Sequence, residues 1–191
     1  MKNSIKAVLM ALGLVVFTGP GSVWAALEDT VSVTIRIQSL SVTIAEATFD
    51  FGAAQLNQSV VSTALNVTND GNVQERFALR ANNTGTNPWT MSNTNGAHTA
   101  VLYALFRADA EGTPATGLFA VNTDTVPVNS KEVPNGGNDA SPFCDSAACD
   151  GENVAAAGPR DLHLMVLTPL SETSTAGTVQ TMYVTITALV D

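Results

Sequence analysis

The chain has 191 residues, of which 17 are acidic and 8 are basic, and its formal net charge is −9. The few basic residues are scattered, which argues against nucleic acid and anionic membrane surfaces as partners. Threonine, valine, asparagine, glycine and alanine dominate the composition and no long segment after the first 25 residues has helical periodicity, so the sequence predicts an all-β protein.

The first 25 residues have the features of a secretory signal peptide. Lys2 and Lys6 form a basic start, Ala7–Phe17 is apolar, and Val23-Trp24-Ala25 suits a signal peptidase. The apolar stretch is too short to span a bilayer, which disfavours the alternative of an uncleaved anchor. We therefore expect cleavage before Ala26 and a mature chain that is secreted, extracellular or at the cell surface, without membrane insertion.

The tetrapeptide SVTI occurs twice, at Ser32–Ile35 and Ser41–Ile44. The copies are nine residues apart, so on one straight strand their apolar side chains would face opposite sides. The first copy lies in a predicted strand, Thr30–Ile37, and the second in another, Leu40–Ile44. The apolar row of the first strand consists of Val31, Val33, Ile35 and Ile37.

Two explanations account for the change of phase. A bulge near Gln38-Ser39 would restore the phase in one long strand within the subunit. Alternatively, residues 26–38 project as a donor strand whose apolar row fills a groove in a neighbouring copy, and residues 39–191 form the β-sandwich domain. We favour the second explanation, because an exposed apolar strand is an aggregation hazard unless it is paired.

Period-two patterns predict the remaining strands. In chain order these are Ala47–Phe51, Val61–Thr68, Val73–Ala81, Thr99–Arg107, two short strands at Leu118–Val121 and Val126–Val128, Arg160–Leu167, and Thr181–Ala188 with Met182, Val184, Ile186 and Ala188 facing inward.

The segment Asn69-Asp70-Gly71-Asn72 predicts a hairpin turn, because Asp-Gly tolerates positive φ. Residues 108–158 are rich in Gly, Pro, Asn and Asp, which predicts a long loop region before the last two strands. Strands of this number and length predict an immunoglobulin-like β-sandwich of two antiparallel sheets.

Part of this pattern resembles known secreted proteins. The run from Thr48 to Leu79, with its D-F-G and N-D-G-N elements, precedes A-A-G-P-R-D-L-H-L and a closing V-T-I-T-A. Together these elements resemble a group of secreted bacterial proteins with a single immunoglobulin-like β-sandwich. The layout is loosely similar to that of camelysin/TasA-type extracellular fibre subunits, which implies an N-terminal strand that completes a neighbour's sheet. No catalytic or binding residue carries over from either group.

The only cysteines, Cys144 and Cys149, predict a disulfide that closes a small loop in an oxidising compartment. The surrounding segment is rich in hard oxygen ligands, and Asp139, Asp145, Asp150 and Glu152 are candidate ligands for calcium. Their spacing does not match the EF-hand calcium loop, so a solvated acidic loop is the favoured interpretation. Calcium is the one cofactor that the sequence brings into consideration.

We find no nucleophile turn, phosphate-binding loop or zinc cluster in the sequence, and we predict that the protein is not an enzyme. Trp89 is a candidate sugar-stacking platform, although a tryptophan packed over the edge of the core is more common. The sequence favours an exported structural protein that assembles with copies of itself into a filament or surface layer. The alternative is a monomeric secreted module that binds a glycan or a protein through the loops around Trp89 and Cys144–Cys149.

Overall fold

A computed structural model describes residues 32, 34–84, 88–138, 140–145, 149–172 and 178–191. Contacts divide the chain into two units, Met1–Arg36 and Ile37–Asp191. In the first unit, Ser32 and residues 34–36 are exposed and have no regular secondary structure. Residues 34–41 contain no strand, so the single long strand through Gln38-Ser39 is not formed.

The second unit is built from strands, and its described residues include no α-helix. The strands are β1 (Val42–Ile44), β2 (Ser59–Val61), β3 (Leu65–Asn69), β4 (Glu75–Thr84), β5 (Thr90–Met91), β6 (Thr99–Ala108), β7 (Lys131–Glu132), β8 (Pro159–Leu167) and β9 (Thr181–Val190). A short 3-10 turn, Thr116–Leu118, lies between β6 and β7.

The strands form two sheets, which confirms the predicted all-β sandwich. The first sheet has the order β1-β3-β8-β6-β5, and β2 also pairs with β8. The second sheet has the order β7-β4-β9. All pairs are antiparallel except β5 with β6. The immunoglobulin-like plan stays a prediction.

The main core lies between the sheets, and strand alternation supplies it. From β4 it takes Phe77 and Leu79, and from β6 it takes Leu102 and Phe106, with the rings of Phe77 and Phe106 5.3 Å apart. The alternate residues of β6 pack on the opposite face of the first sheet in a smaller cluster that consists of Val101, Tyr103, Leu105, Phe119 and Met165. This second cluster explains why the sequence of β6 is apolar on both faces of the strand.

The N-D-G-N element connects the two sheets, and the predicted hairpin is therefore wrong. β3 belongs to the first sheet and β4 to the second. The buried Asn69 side chain holds the connection, since its Nδ2 donates to the carbonyls of Val73 and Val154, both at 2.8 Å. The segment before β1 lies beside the turn, where Asp70 N donates to Ser41 O at 2.8 Å.

Gly71 serves this turn by its small size, because it does not have the positive φ that the Asp-Gly pair suggested. A Cβ atom at this position would lie 2.3 Å from Glu75 Oε1 and 2.4 Å from Ser39 O. The glycine thus allows the segment before β1 to approach the start of β4.

Four other strand predictions are wrong. The predicted strand Val61–Thr68 breaks at Ser62 into β2 and β3, and Ser62 Oγ accepts a hydrogen bond from Leu164 N at 2.9 Å. Ala47–Phe51 is irregular, although Phe49 and Phe51 pack against the core, with their two rings edge to face. The predicted short strands Leu118–Val121 and Val126–Val128 are absent from these described residues, whereas β7 was not predicted.

We predict that Gly71→Ala lowers the free energy of unfolding by about 2 kcal/mol, because the new methyl group must displace backbone or a buried carboxylate. The matched control is Gly117→Ala, since a Cβ there meets nothing within 4 Å. The control should change stability by less than about 0.5 kcal/mol. Urea unfolding of both variants measures the difference, and equal effects would contradict the close approach at Gly71.

Candidate functional site

One side of the sandwich is closed by the long loop between β6 and β8. Along the edge of β6, Ala104 N donates to Asp124 O at 2.9 Å and Phe106 N donates to Phe143 O at 3.0 Å. Along the edge of β4, Phe77 N donates to Gly151 O at 3.0 Å, and β7 pairs with the same strand. The loop therefore supplies backbone partners to both sheets, and we call this the closed side.

A buried carboxylate joins two parts of this loop. Asp124 Oδ1 accepts from Phe143 N at 2.8 Å, and Asp124 Oδ2 accepts from Ala120 N at 2.6 Å. Burial raises the pKa of Asp124 to about 6, against the lowering effect of these hydrogen bonds and of nearby Lys131. The Lys131 ammonium donates to the carbonyls of Asn122 and Thr123. Hydrogen bonds from side chains, as well as those between backbone groups, thus stabilise the loop on the closed side.

The opposite side, which we call the open side, is formed by β1 and β9. β1 has three residues, whereas β9 has ten and pairs only with β4 among the described residues. Native proteins usually protect such an edge with charged side chains, proline, bulges or a covering segment. The sequence of β9, TMYVTITALV, contains neither a charged residue nor a proline.

The core is incompletely covered along β9. Its predicted inward row, Met182, Val184, Ile186 and Ala188, is only half-buried, and the first three of these side chains pack against the main core. Phe77 and Leu79 on the neighbouring strand β4 are fully buried. The open side therefore presents an apolar row beside a strand edge that no other described strand pairs with.

The structure describes two of the four residues in the apolar row of the predicted assembly strand. Ile35 and Ile37 are 83% and 80% exposed, whereas Val31 and Val33 lie outside the described residues. Two isoleucines of one apolar row are thus exposed to solvent in the single chain.

The disulfide prediction is confirmed. Cys144 and Cys149 are bonded, with their Cα atoms 4.7 Å apart. Both residues are buried and belong to the main core. The sequence predicted the bond, but its role as a core element was missed, because nothing in the acidic segment around it suggests burial.

Of the three predicted calcium ligands that the structure describes, it brings together two, Asp145 and Asp150. Carboxylate oxygens of Asp145, Asp150 and Glu111 lie within 4.8 Å of one another, and sequence reasoning missed Glu111 because it is distant along the chain. Glu152 lies outside this group and accepts from Gly137 N at 3.1 Å. Asp139 lies outside the described residues.

The guanidinium group of Arg107 pairs with two of these three carboxylates. Arg107 Nε donates to Asp145 Oδ2 at 2.7 Å, and another nitrogen of Arg107 lies 3.3 Å from Glu111 Oε1. Burial, with Glu111 and Asp145 nearby, raises the pKa of Asp150 despite the opposing effect of Arg160. The described geometry is that of an ion-pair cluster, and calcium binding stays a prediction.

Trp89 is half-buried, and its polar groups are engaged within the protein. Its ring N–H donates to Glu172, and its backbone N–H donates to Gln180 Oε1 at 3.0 Å. His98 Nδ1 lies 2.7 Å from the other carboxylate oxygen of Glu172. Trp89 thus ties neighbouring loops together, and sugar stacking stays a prediction.

No protein-family description matches this chain, and no curated protein is significantly similar to it. Among the described residues, no helix is long and apolar enough to cross a membrane. The resemblances drawn from the sequence therefore stay predictions.

We predict that Arg107→Gln lowers the free energy of unfolding by about 3 kcal/mol, because it leaves a buried carboxylate without its cation. The Asp145 side chain is only 4% exposed. The matched control is Arg76→Gln, since its partner Glu132 is 55% exposed. An exposed pair contributes less than about 1 kcal/mol. Urea unfolding at neutral pH compares the two variants, and similar losses would contradict the buried ion pair.

We also predict an acid-dependent loss of stability through His163. The side chain is fully buried, its Nδ1 lies 3.4 Å from Ser62 O, and its Nε2 has no hydrogen-bond partner among the described residues. Burial lowers the pKa of His163. Below about pH 6.5, the pKa of an exposed histidine, the unfolded chain therefore binds more protons than the folded chain, and stability falls as the pH falls.

The test variant is His163→Gln, which is neutral and of similar size. Between pH 7.5 and pH 5 it should lose less free energy of unfolding than the wild-type protein. Urea unfolding at both pH values measures this change, and the pH 7.5 values serve as the baseline for packing effects. Identical losses in the two proteins would show that His163 does not cause the acid dependence.

Proposed function

We propose that the protein is an exported structural protein whose copies assemble into an extracellular filament or surface layer by β-strand addition. The observation that carries this proposal is the ten-residue edge of β9, which has no strand partner among the described residues other than β4 and lies beside a half-buried apolar row. An added strand would pair with the free backbone groups of this edge and cover the row. In β-strand addition, main-chain hydrogen bonds provide affinity and alternate side chains provide specificity.

The N-terminal segment has the chemistry of the missing strand. Its apolar row is Val31, Val33, Ile35 and Ile37, and the two described members are exposed. Arg36 is the only charged residue between positions 30 and 37. Full burial of one Val or Ile side chain contributes about 1.5–3 kcal/mol, so four of them offset much of the entropy lost when the segment is ordered.

Export is the second part of the proposal. It rests on the basic and apolar pattern of the first 25 residues and on the disulfide, which is typical of oxidising compartments. Assembly outside the cell would also pair the edge of β9, which inside the cell would be an aggregation hazard.

We predict that Ile35→Asp abolishes polymers of the mature protein while leaving its melting temperature unchanged. The side chain is exposed in the single chain but would place an unpaired carboxylate in an apolar groove of the neighbour. The matched control is Arg36→Asp, one residue along on the opposite face of the strand, which should still polymerise. Electron microscopy and size-exclusion chromatography measure assembly.

Removal of residues 26–37 provides the complementary test. The truncated chain should fold and remain monomeric, and a peptide of the removed sequence should bind to it. Failure of the truncated chain to fold would mean that these residues belong to the core of their own domain. That result, or normal polymers from Ile35→Asp, would overturn the proposal.

A further inference from the structure

We infer that the donor segment pairs antiparallel to β9 of the neighbouring copy, and this inference rests on the proposed function. The segment leaves its own domain beside Asn72. Ile37 O accepts from Asn72 Nδ2 at 2.9 Å, and Ser39 exchanges hydrogen bonds with Asn72 at 2.9 and 3.1 Å. Ser41 N donates to Glu75 Oε1 at 2.9 Å. The segment is therefore anchored beside the turn that precedes β4.

This anchor lies at one end of β9. β4 and β9 are paired from Glu75 opposite Val190 to Thr84 opposite Thr181. The anchor at Asn72 and Glu75 is therefore at the Val190 end of β9. The Thr181 end is about 30 Å away along the strand.

These positions restrict how residues 30–37 can meet a β9 strand. If the segment folded back along its own β9, Ile37 would lie near Val190 and Thr30 would lie toward Thr181. The two strands would then run in the same direction. Two copies that exchange segments about a twofold axis, with their Val190 ends together, would give the same parallel pairing in a closed dimer.

A head-to-tail arrangement gives the opposite pairing. The Val190 end of one copy then faces the Thr181 end of the next, so the segment enters beside Thr181 with Thr30 farthest in. It runs antiparallel to β9, and the contact repeats without closing, as a filament requires. Antiparallel pairs are also slightly more stable per residue, and β9 already pairs in this way with β4.

The side-chain pattern sets the register. Residues directly opposite each other in an antiparallel pair project to the same face. Ile37 opposite Met182 and Ile35 opposite Val184 would place both apolar rows toward the core. On the solvent face, Arg36 would then lie opposite Tyr183, which is exposed in the single chain.

Disulfide trapping between mixed chains tests this inference. One mature protein carries Arg36→Cys and a second carries Tyr183→Cys, while the native buried disulfide is kept in both. After the two proteins are mixed in equal amounts, assembled and mildly oxidised, about half of the chains should migrate as covalent dimers on a non-reducing gel, because in a randomly mixed polymer only half of the Arg36→Cys segments meet a Tyr183→Cys copy. The matched control replaces Tyr183→Cys with Thr187→Cys, near the other end of β9, and should give little cross-linking.

The outcomes separate this inference from the proposed function. Cross-links mainly to Thr187→Cys, in dimers, would show parallel exchange and would overturn the antiparallel inference while leaving strand addition in place. Polymers without a cross-link to either position would overturn the register. Absence of any assembly by the wild-type protein would overturn the proposed function itself.

Discussion

Every strand at the edge of a sheet carries backbone N–H and C=O groups that lack a neighbouring strand, and this constraint shapes the whole molecule. On the closed side, segments of the long loop satisfy these groups along β6 and β4. On the open side, β9 has no strand neighbour beyond β4 among the described residues. The two sides of the sandwich therefore meet the same physical requirement in different ways.

The closed side explains how the sandwich is held together although its second sheet contains only three described strands. The loop contributes Phe143, Val133 and the bonded cysteines to the main core and places Phe119 over the outer face of the first sheet. A buried carboxylate, Asp124, links two parts of the loop through backbone N–H groups. The loop is thus a structural layer and contributes as much to the core as a strand would.

The sequence predicted those features that depend on local pattern. The strand β9 follows from alternation, β6 and β8 follow from short apolar runs, and the disulfide follows from two cysteines close in the chain. The sequence did not predict contacts between distant residues, such as Glu111 with Asp145 or Asn69 with Val154, because no local pattern specifies which loops meet. The hairpin prediction failed for the same reason, since the turn residues fit either a hairpin or a connection between sheets. The open edge could not be predicted either, because strand order is a property of the assembled sheets.

The anchoring of the N-terminal segment at the Val190 end of β9 has a consequence for a filament built from these joints. Its two tips are chemically different, because one exposes an unfilled β9 edge and the other exposes an unpaired N-terminal segment. Such a filament is polar, and subunits add to its two tips by different reactions. In such a filament, a copy without its N-terminal segment would accept a strand but donate none, so it would terminate growth at one tip and leave the other active.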